Sequence, residues 1–249
     1  VARVPARLGL LTPHAAIGPE AEFPEMAADR VMVVIEHLGT DDARGDVGSS
    51  PPPSSNLTAL SRPGLLDKGA RKLVATGVDA IGYASTTTAY AVGFEAEAAI
   101  AVRLADDFGV PVASSSAAAV LALRALETCR VALIGAPWFD PAFNDLGTAY
   151  FEGQGFDVVS SESAMLGKDP EEVDVPSVVK WTLAHVSDRA DAIFIGGTGF
   201  RVAGAIWPLE DMLGRPVLTA NQVLLWRLLA AVGSPSKVVG YGKLFEREP

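Results

Sequence analysis

A chain of 249 residues has room for two compact lobes, and its 49% hydrophobic and 20% charged content suits a well-buried globular protein. The net charge of −10 argues against a nucleic-acid or anionic-membrane surface. No apolar run reaches the ~18 residues of a membrane span, and the single cysteine, Cys129, cannot close an internal disulfide, so a reducing cytoplasm is the simplest setting.

No charged segment leads into an apolar one at the start, so no signal peptide is visible; the chain starts at Val1 rather than Met, so one could have been removed. Residues 8–12 and 31–36 read as strands. Residues 37–62 do not read as regular structure: they carry Gly39, Gly45, Gly48, the run Pro51-Pro52-Pro53 and several serines. Loops of that length inside compact domains are lids, binding loops or disordered insertions, and part of this one is expected to cover the site. Residues 64–76 have helical spacing, with Leu65, Leu66, Ala70, Leu73 and Val74 apolar. Residues 78–84 form a strand with little alternation, as expected of a parallel sheet buried on both faces. One long alanine-rich helix is expected over 88–108. A strand at 110–113 then precedes a helix at 115–126, capped by Ser114 or Ser115.

The second half repeats the order. Residues 130–135 read as a strand. Residues 141–154 read as a helix with Asp140 as its cap and Pro141 at its first position. A strand at 156–160, an irregular stretch at 161–174 and a helix at 175–187 follow. The chain closes with a strand at 191–196, a helix at 205–213, a strand at 216–218 and a helix at 221–231. Such alternation predicts an α/β protein with mainly parallel sheets, whose ligands sit beyond the carboxyl ends of the strands.

The two halves are also related as sequences. Asp79-Ala80-Ile81-Gly82-Tyr83-Ala84-Ser85-Thr86 pairs with Asp191-Ala192-Ile193-Phe194-Ile195-Gly196-Gly197-Thr198. Arg7-Leu8-Gly9-Leu10-Leu11 pairs with Arg130-Val131-Ala132-Leu133-Ile134, each followed by a proline, Pro13 or Pro137. Gly109-Val110-Pro111-Val112 pairs with Gly214-Arg215-Pro216-Val217. Matches in the same order imply duplication and two pseudo-symmetric lobes. The strand-end loops of the two copies are expected to face each other across a cleft.

Both copies end in residues with chemical potential. Ser85, Thr86, Thr87 and Thr88 put hydroxyl and amide donors together at a strand end before a helix, which suits a carboxylate or an enediolate. Gly196-Gly197-Thr198-Gly199 allows close backbone approach to a ligand. It lacks the G-x-G-x-x-G spacing of a dinucleotide fingerprint, so a nucleotide cofactor is not implied. His14 follows the first strand and is a candidate acid or base. His37 and His185 read as surface residues. The sequence has no spaced His/Cys/Asp cluster for a metal and no G-x-S-x-G elbow. Cys129 lies at the entry end of its strand and reads as structural.

These residues resemble the aspartate/glutamate racemase superfamily, in the branch of arylmalonate decarboxylase and maleate cis-trans isomerase. The resemblance runs over nearly the whole chain. It is carried by Leu10-Leu11-Thr12-Pro13-His14-Ala15-Ala16, Ser85-Thr86-Thr87, Arg130-Val131-Ala132-Leu133, residues 191–199, Gly214-Arg215-Pro216-Val217 and the tail Gly240-Tyr241-Gly242-Lys243-Leu244-Phe245. The tail and the Pro-x-Ala-Ala start look closest to the decarboxylase. Asp191-Ala192-Ile193-Phe194-Ile195, and Asn221-Gln222 with Leu224-Leu225-Trp226, look closer to the isomerase.

The resemblance implies two pseudo-symmetric α/β lobes, here residues 1–116 with 220–249 and residues 117–219. It implies a site between them, no cofactor, and proton transfer or decarboxylation at a carbon next to a carboxylate. It also implies one cysteine per lobe in racemases and isomerases, and only the second in decarboxylases. Here Ser85 stands at the first position and Gly197 at the second, so a two-thiol mechanism is not expected. Thr86 and Thr87 match the decarboxylase's dioxyanion-hole threonine and serine. Trp138 stands for a family tyrosine, and Ala16 for an isomerase asparagine. Pro13, Thr198 and Gly199 complete the expected substrate-binding set.

Three readings stay open on the sequence. One is a lyase on a small carboxylate, its enediolate held by Ser85, Thr86, Thr87 and the amides of residues 197–199, with the proton from water, His14 or a hydroxyl. The second is an isomerase or hydrolase with Ser85 as nucleophile and His14 as base. The third is an inactive carboxylate-binding protein. Monomer and homo-oligomer both fit.

Overall fold

The computed structural model describes residues 4–13, 17–38, 57–235 and 237–248. Two four-stranded, wholly parallel sheets carry the fold. The first contains β1 (Ala6–Thr12), β2 (Val31–His37), β3 (Ala80–Tyr83) and β4 (Val112–Ser114), in the order β2-β1-β3-β4. The second contains β5 (Arg130–Gly135), β6 (Asp157–Ser163), β7 (Ala192–Ile195) and β8 (Val217–Thr219), in the order β6-β5-β7-β8. The orders superimpose strand for strand, so the duplication read in the sequence is a duplication of topology. The central strands β3 and β7 are buried along their whole length, which explains their continuous apolar character.

The helices are α1 (Pro19–Ala27), α2 (Pro63–Ala75), α3 (Thr86–Val92), α4 (Phe94–Phe108), α5 (Ser115–Ala125), α6 (Pro141–Glu152), α7 (Val175–His185), α8 (Ile206–Leu213) and α9 (Ala220–Ala231). Their ends follow local chemistry. Asp140 and Asp174 each accept a hydrogen bond from the third residue of the helix they cap, and Thr219 forms a reciprocal capping box with Gln222. Ser114 holds the cap position of α5 without a side-chain bond.

Three expectations need correction. The single helix expected over 88–108 is two helices, because Gly93 sits at φ 82 and breaks the ladder between them. The strand expected to end at residue 160 runs to Ser163, taking up part of the stretch expected to be irregular. Helix α1 was not expected at all. Of the long stretch 37–62, residues 39–56 lie outside the described residues, and its end forms a short 3-10 turn, Thr58–Ser61.

The apolar residues form one cluster between the sheets and one on each outer face. The inner cluster joins Leu8 and Leu10 of the first sheet to Leu133 and Phe194 of the second, through Trp226, Leu224 and Leu228 of α9. The outer faces are covered by α2 and α4 on one side and by α7 and α8 on the other. A Cβ at Gly82 of β3 would meet Leu228 at 2.9 Å, so α9, at the end of the chain, lies on the first sheet.

Candidate functional site

The carboxyl ends of β1, β3, β5 and β7 define the site. At the end of β3, Ser85 takes an extended conformation (φ −155, ψ 106) and caps α3. Its Oγ accepts from the Thr88 amide at 3.3 Å and donates to Thr88 Oγ1 at 2.9 Å. Thr88 in turn bonds the phenol of Tyr83, whose pKa is pushed up chiefly by burial. The hydroxyl of Ser85 is therefore committed inward. Thr86 and Thr87 differ from it. They are 2% and 7% exposed, and neither hydroxyl has a hydrogen-bond partner among the described residues. Neither hydroxyl is among the fully buried, partnerless side-chain atoms, so both stay open to solvent or to a ligand.

At the end of β7 the backbone turns tightly, with the Phe200 amide bonding the Gly197 carbonyl at 3.1 Å. Gly197 has φ 102, and a Cβ there would lie 2.9 Å from that of Ala136. The position lacks room as well as a side chain. The Gly197 and Gly199 amides have no acceptor among the described residues. Thr198 ties the two copies together, since its Oγ1 donates to the Ala84 carbonyl at 3.0 Å. The repeat thus brings its two strand-end loops into direct contact.

The other expected residues surround this junction. Trp138, just beyond β5, is half-buried and packs edge-on against Phe200 with ring centroids 5.8 Å apart. Pro13 directly follows β1 and is half-buried. His14 and Ala16 lie outside the described residues. Cys129 precedes β5 at the opposite end of the sheet, and it is exposed rather than packed into the core. No group of three or more metal-ligating side chains occurs among the described residues, and no helix among them is long and apolar enough to cross a membrane.

The structure adds residues that the sequence reading missed. Glu22 on α1 is 2% exposed and lies against the β7 loop. Its carboxylate accepts from the Ala203 amide and from Asn221 Nδ2, both at 2.7 Å. Asn221 Nδ2 also donates to the Thr198 carbonyl at 2.9 Å. Burial pushes the Glu22 pKa up to about 7, partly offset by those hydrogen bonds and helped by nearby Glu25. Gly18, which caps α1, packs so closely that a Cβ would lie 2.0 Å from the Thr198 carbonyl oxygen. Pro19 at the first position and acidic residues in the first turn mark the helix start. Nothing in the sequence distinguishes buried Glu22 from its neighbour Glu25. A second buried carboxylate, Glu97 on α4, accepts from the Tyr150 hydroxyl of α6 and from the Ala117 amide. Its pKa is raised by desolvation, and it ties α4 to α5 and α6.

Comparison with known proteins gives the family and the fold. Residues 64–245 match the family model for arylmalonate decarboxylase. The chain is 27% identical over 184 residues to the arylmalonate decarboxylase of Bordetella bronchiseptica, spanning 71% of this chain and 75% of that one. A crystal structure of arylmalonate decarboxylase superimposes with a TM-score of 0.80 at 22% identity, covering 96% of this chain and 99% of the other. The maleate isomerase Iso from Pseudomonas putida S16 superimposes with a TM-score of 0.82 at 22% identity, covering 96% and 98%. The chain belongs to the arylmalonate decarboxylase family, whose members include enzymes acting on small carboxylates.

Proposed function

We propose that this member of the arylmalonate decarboxylase family is a cofactor-independent lyase that removes CO2 from a small malonate-type dicarboxylate. The observation that carries the reading is the pair Thr86 and Thr87, buried, adjacent and without partners among the described residues, beside the open amides of Gly197 and Gly199. One substrate carboxylate would lie between these donors. The other would face the aromatic wall of Trp138 and Phe200, where loss of hydration favours its departure as neutral CO2. The carbon–carbon bond breaks with its electron pair moving into the retained carboxylate. The resulting enediolate carries two negative oxygens, and the hydroxyl and amide donors favour it over the substrate carboxylate. A proton then adds to the α-carbon.

That proton does not come from a thiol at either family position, because Ser85 and Gly197 occupy them. Water is the proposed source, delivered directly or through His14. Ser85 acts in this reading as a structural cap for the hydroxyl loop, since both its lone pair and its proton are engaged by Thr88. That engagement disfavours the reading in which Ser85 is a nucleophile.

The experiment is the pair of substitutions Thr86→Val with Thr87→Ala, assayed on a panel of aryl- and alkyl-malonates. Removal of oxyanion-type donors lowers kcat by about 10²–10³, and a fall of that size with the fold intact is expected. Turnover that survives the double substitution would sink the reading. Isomerised maleate in place of released CO2 would move the assignment to the isomerase class, and ligand binding without turnover would move it to a carboxylate-binding protein.

A further inference from the structure

The β7 loop offers bare backbone, so something else must hold its amides in place. Thr198 is fixed at both ends. Its hydroxyl bonds the Ala84 carbonyl of the first lobe, and its own carbonyl accepts from Asn221 Nδ2. Asn221 is 1% exposed, and its amide also bonds Glu22 Oε2, while Glu22 Oε1 accepts from Ala203 on the far side of the loop. Asn221 Oδ1 is left buried with no partner among the described residues. An orphaned oxygen next to a carboxylate is informative, because an amide can turn over to exchange its oxygen and nitrogen.

We propose that Glu22 is a positioning residue for the second-lobe half of the anion site: its ionised carboxylate sets the orientation of Asn221, and Asn221 in turn holds the Thr198 carbonyl and aims the Gly197 and Gly199 amides. This rests on the functional reading above for what the amides bind, but not for the network itself. A carboxylate only accepts, so it requires the NH2 side of Asn221 to face it, and the second N–H of that group then reaches Thr198. A carboxylic acid adds a donor. Once Glu22 Oε2 carries a proton, the partnerless Oδ1 of Asn221 becomes its better mate. The amide turns over, and the Thr198 carbonyl loses its bond from Asn221 Nδ2.

Burial brings this proton into the neutral range. The hydrogen bonds from Ala203, Asn221 and Val202 hold the pKa down in part, and no neighbouring charge among the described residues adds to them. Glu25 on the same helix pushes the pKa upward, and Glu20 is occupied with the Gly18 amide. From the C-terminal segment, Tyr241 directs its phenol at Glu25. Arg201 is the charged residue of the loop that carries Ala203, and Glu22 forms no ion pair among the described residues. Ionised Glu22 is thus held by hydrogen bonds alone, and the loop would be aligned above neutral pH and relaxed below it.

The test is an NMR titration of the isotope-labelled, ligand-free protein, which needs no turnover. The backbone amides of Thr198 and Gly199 and the side-chain NH2 of Asn221 should move together in one transition with a midpoint of about 7. Glu22→Gln should abolish that transition, and Glu22→Asp should retain it at a displaced midpoint. With a malonate that turns over, Glu22→Gln should lower kcat about tenfold or more while changing KM less, the mark of misaligned rather than missing donors. Wild-type resonances that stay still through neutrality would overturn the proposal, and so would an identical transition in Glu22→Gln. If no substrate turns over, the titration decides alone; if Glu22→Gln does not fold, the wild-type titration does.

Discussion

The two copies of the strand-end loop solve one problem in opposite ways. After β3, donors are side chains. Four consecutive hydroxyls follow Ala84, two of them, those of Ser85 and Thr88, used to brace the loop and two without partners among the described residues. After β7, donors are bare amides on glycines, and the bracing is borrowed from Gly18, Glu22 and Asn221 far away in the sequence. Duplication supplied two similar frames, and divergence made one self-supporting and the other dependent on α1 and α9. The first loop should therefore tolerate change at its bracing residue, and the second should not.

The strongest way to break this contrast is Gly18→Ala. The new Cβ would lie 2.0 Å from the Thr198 carbonyl oxygen, a backbone atom that cannot rotate away. Overpacking of this kind costs roughly 3 kcal/mol, equivalent to a Tm lower by about 6–12 °C, with loss of ligand binding. A calorimetric scan checks it, and an unchanged Tm would mean that α1 does not brace the loop.

Gly197→Cys comes next. It puts a thiol where the sequence resemblance expects the family's second-lobe cysteine, and the loop should reject it. A side chain at φ 102, 2.9 Å from the Ala136 Cβ, costs about 1–3 kcal/mol in strain. Chemical denaturation should show that loss without any gain in kcat. A stable, faster variant would show that the glycine is a mere deletion of the thiol.

Ser85→Ala gives the smallest effect. Loss of an N-cap costs about 1 kcal/mol, and turnover should stay within a few-fold of wild type because the side chain faces Thr88 rather than the ligand. Abolished turnover with an unchanged fold would reinstate Ser85 as a nucleophile.

The sequence made the frame legible because β3, β5 and β7 are buried apolar runs that repeat in order, and because Asp140 with Pro141 writes a helix start in local chemistry. The hydroxyl run was legible for the same reason: it is contiguous. The bracing of the second loop was not. Glu22, Asn221 and Thr198 are separated by as many as 199 residues in the chain, and only folding brings them within hydrogen-bond distance. Glu22 reads as one more acidic residue in a first turn, and its burial follows from how α1 docks, which no local pattern encodes. The break at Gly93 was hidden in a long alanine-rich run, where one glycine is tolerated unless its φ turns positive.

The most direct measurement of the central claim is a proton NMR time course in deuterium oxide with aryl- and alkyl-malonates, maleate and 2-aryl-propionates. The account predicts loss of a malonate with one deuterium at the α-carbon of the product, slowed by about 10²–10³ in the Thr86→Val, Thr87→Ala protein. Maleate isomerised with no malonate consumed, or deuterium exchange into 2-aryl-propionates without release of CO2, would contradict it.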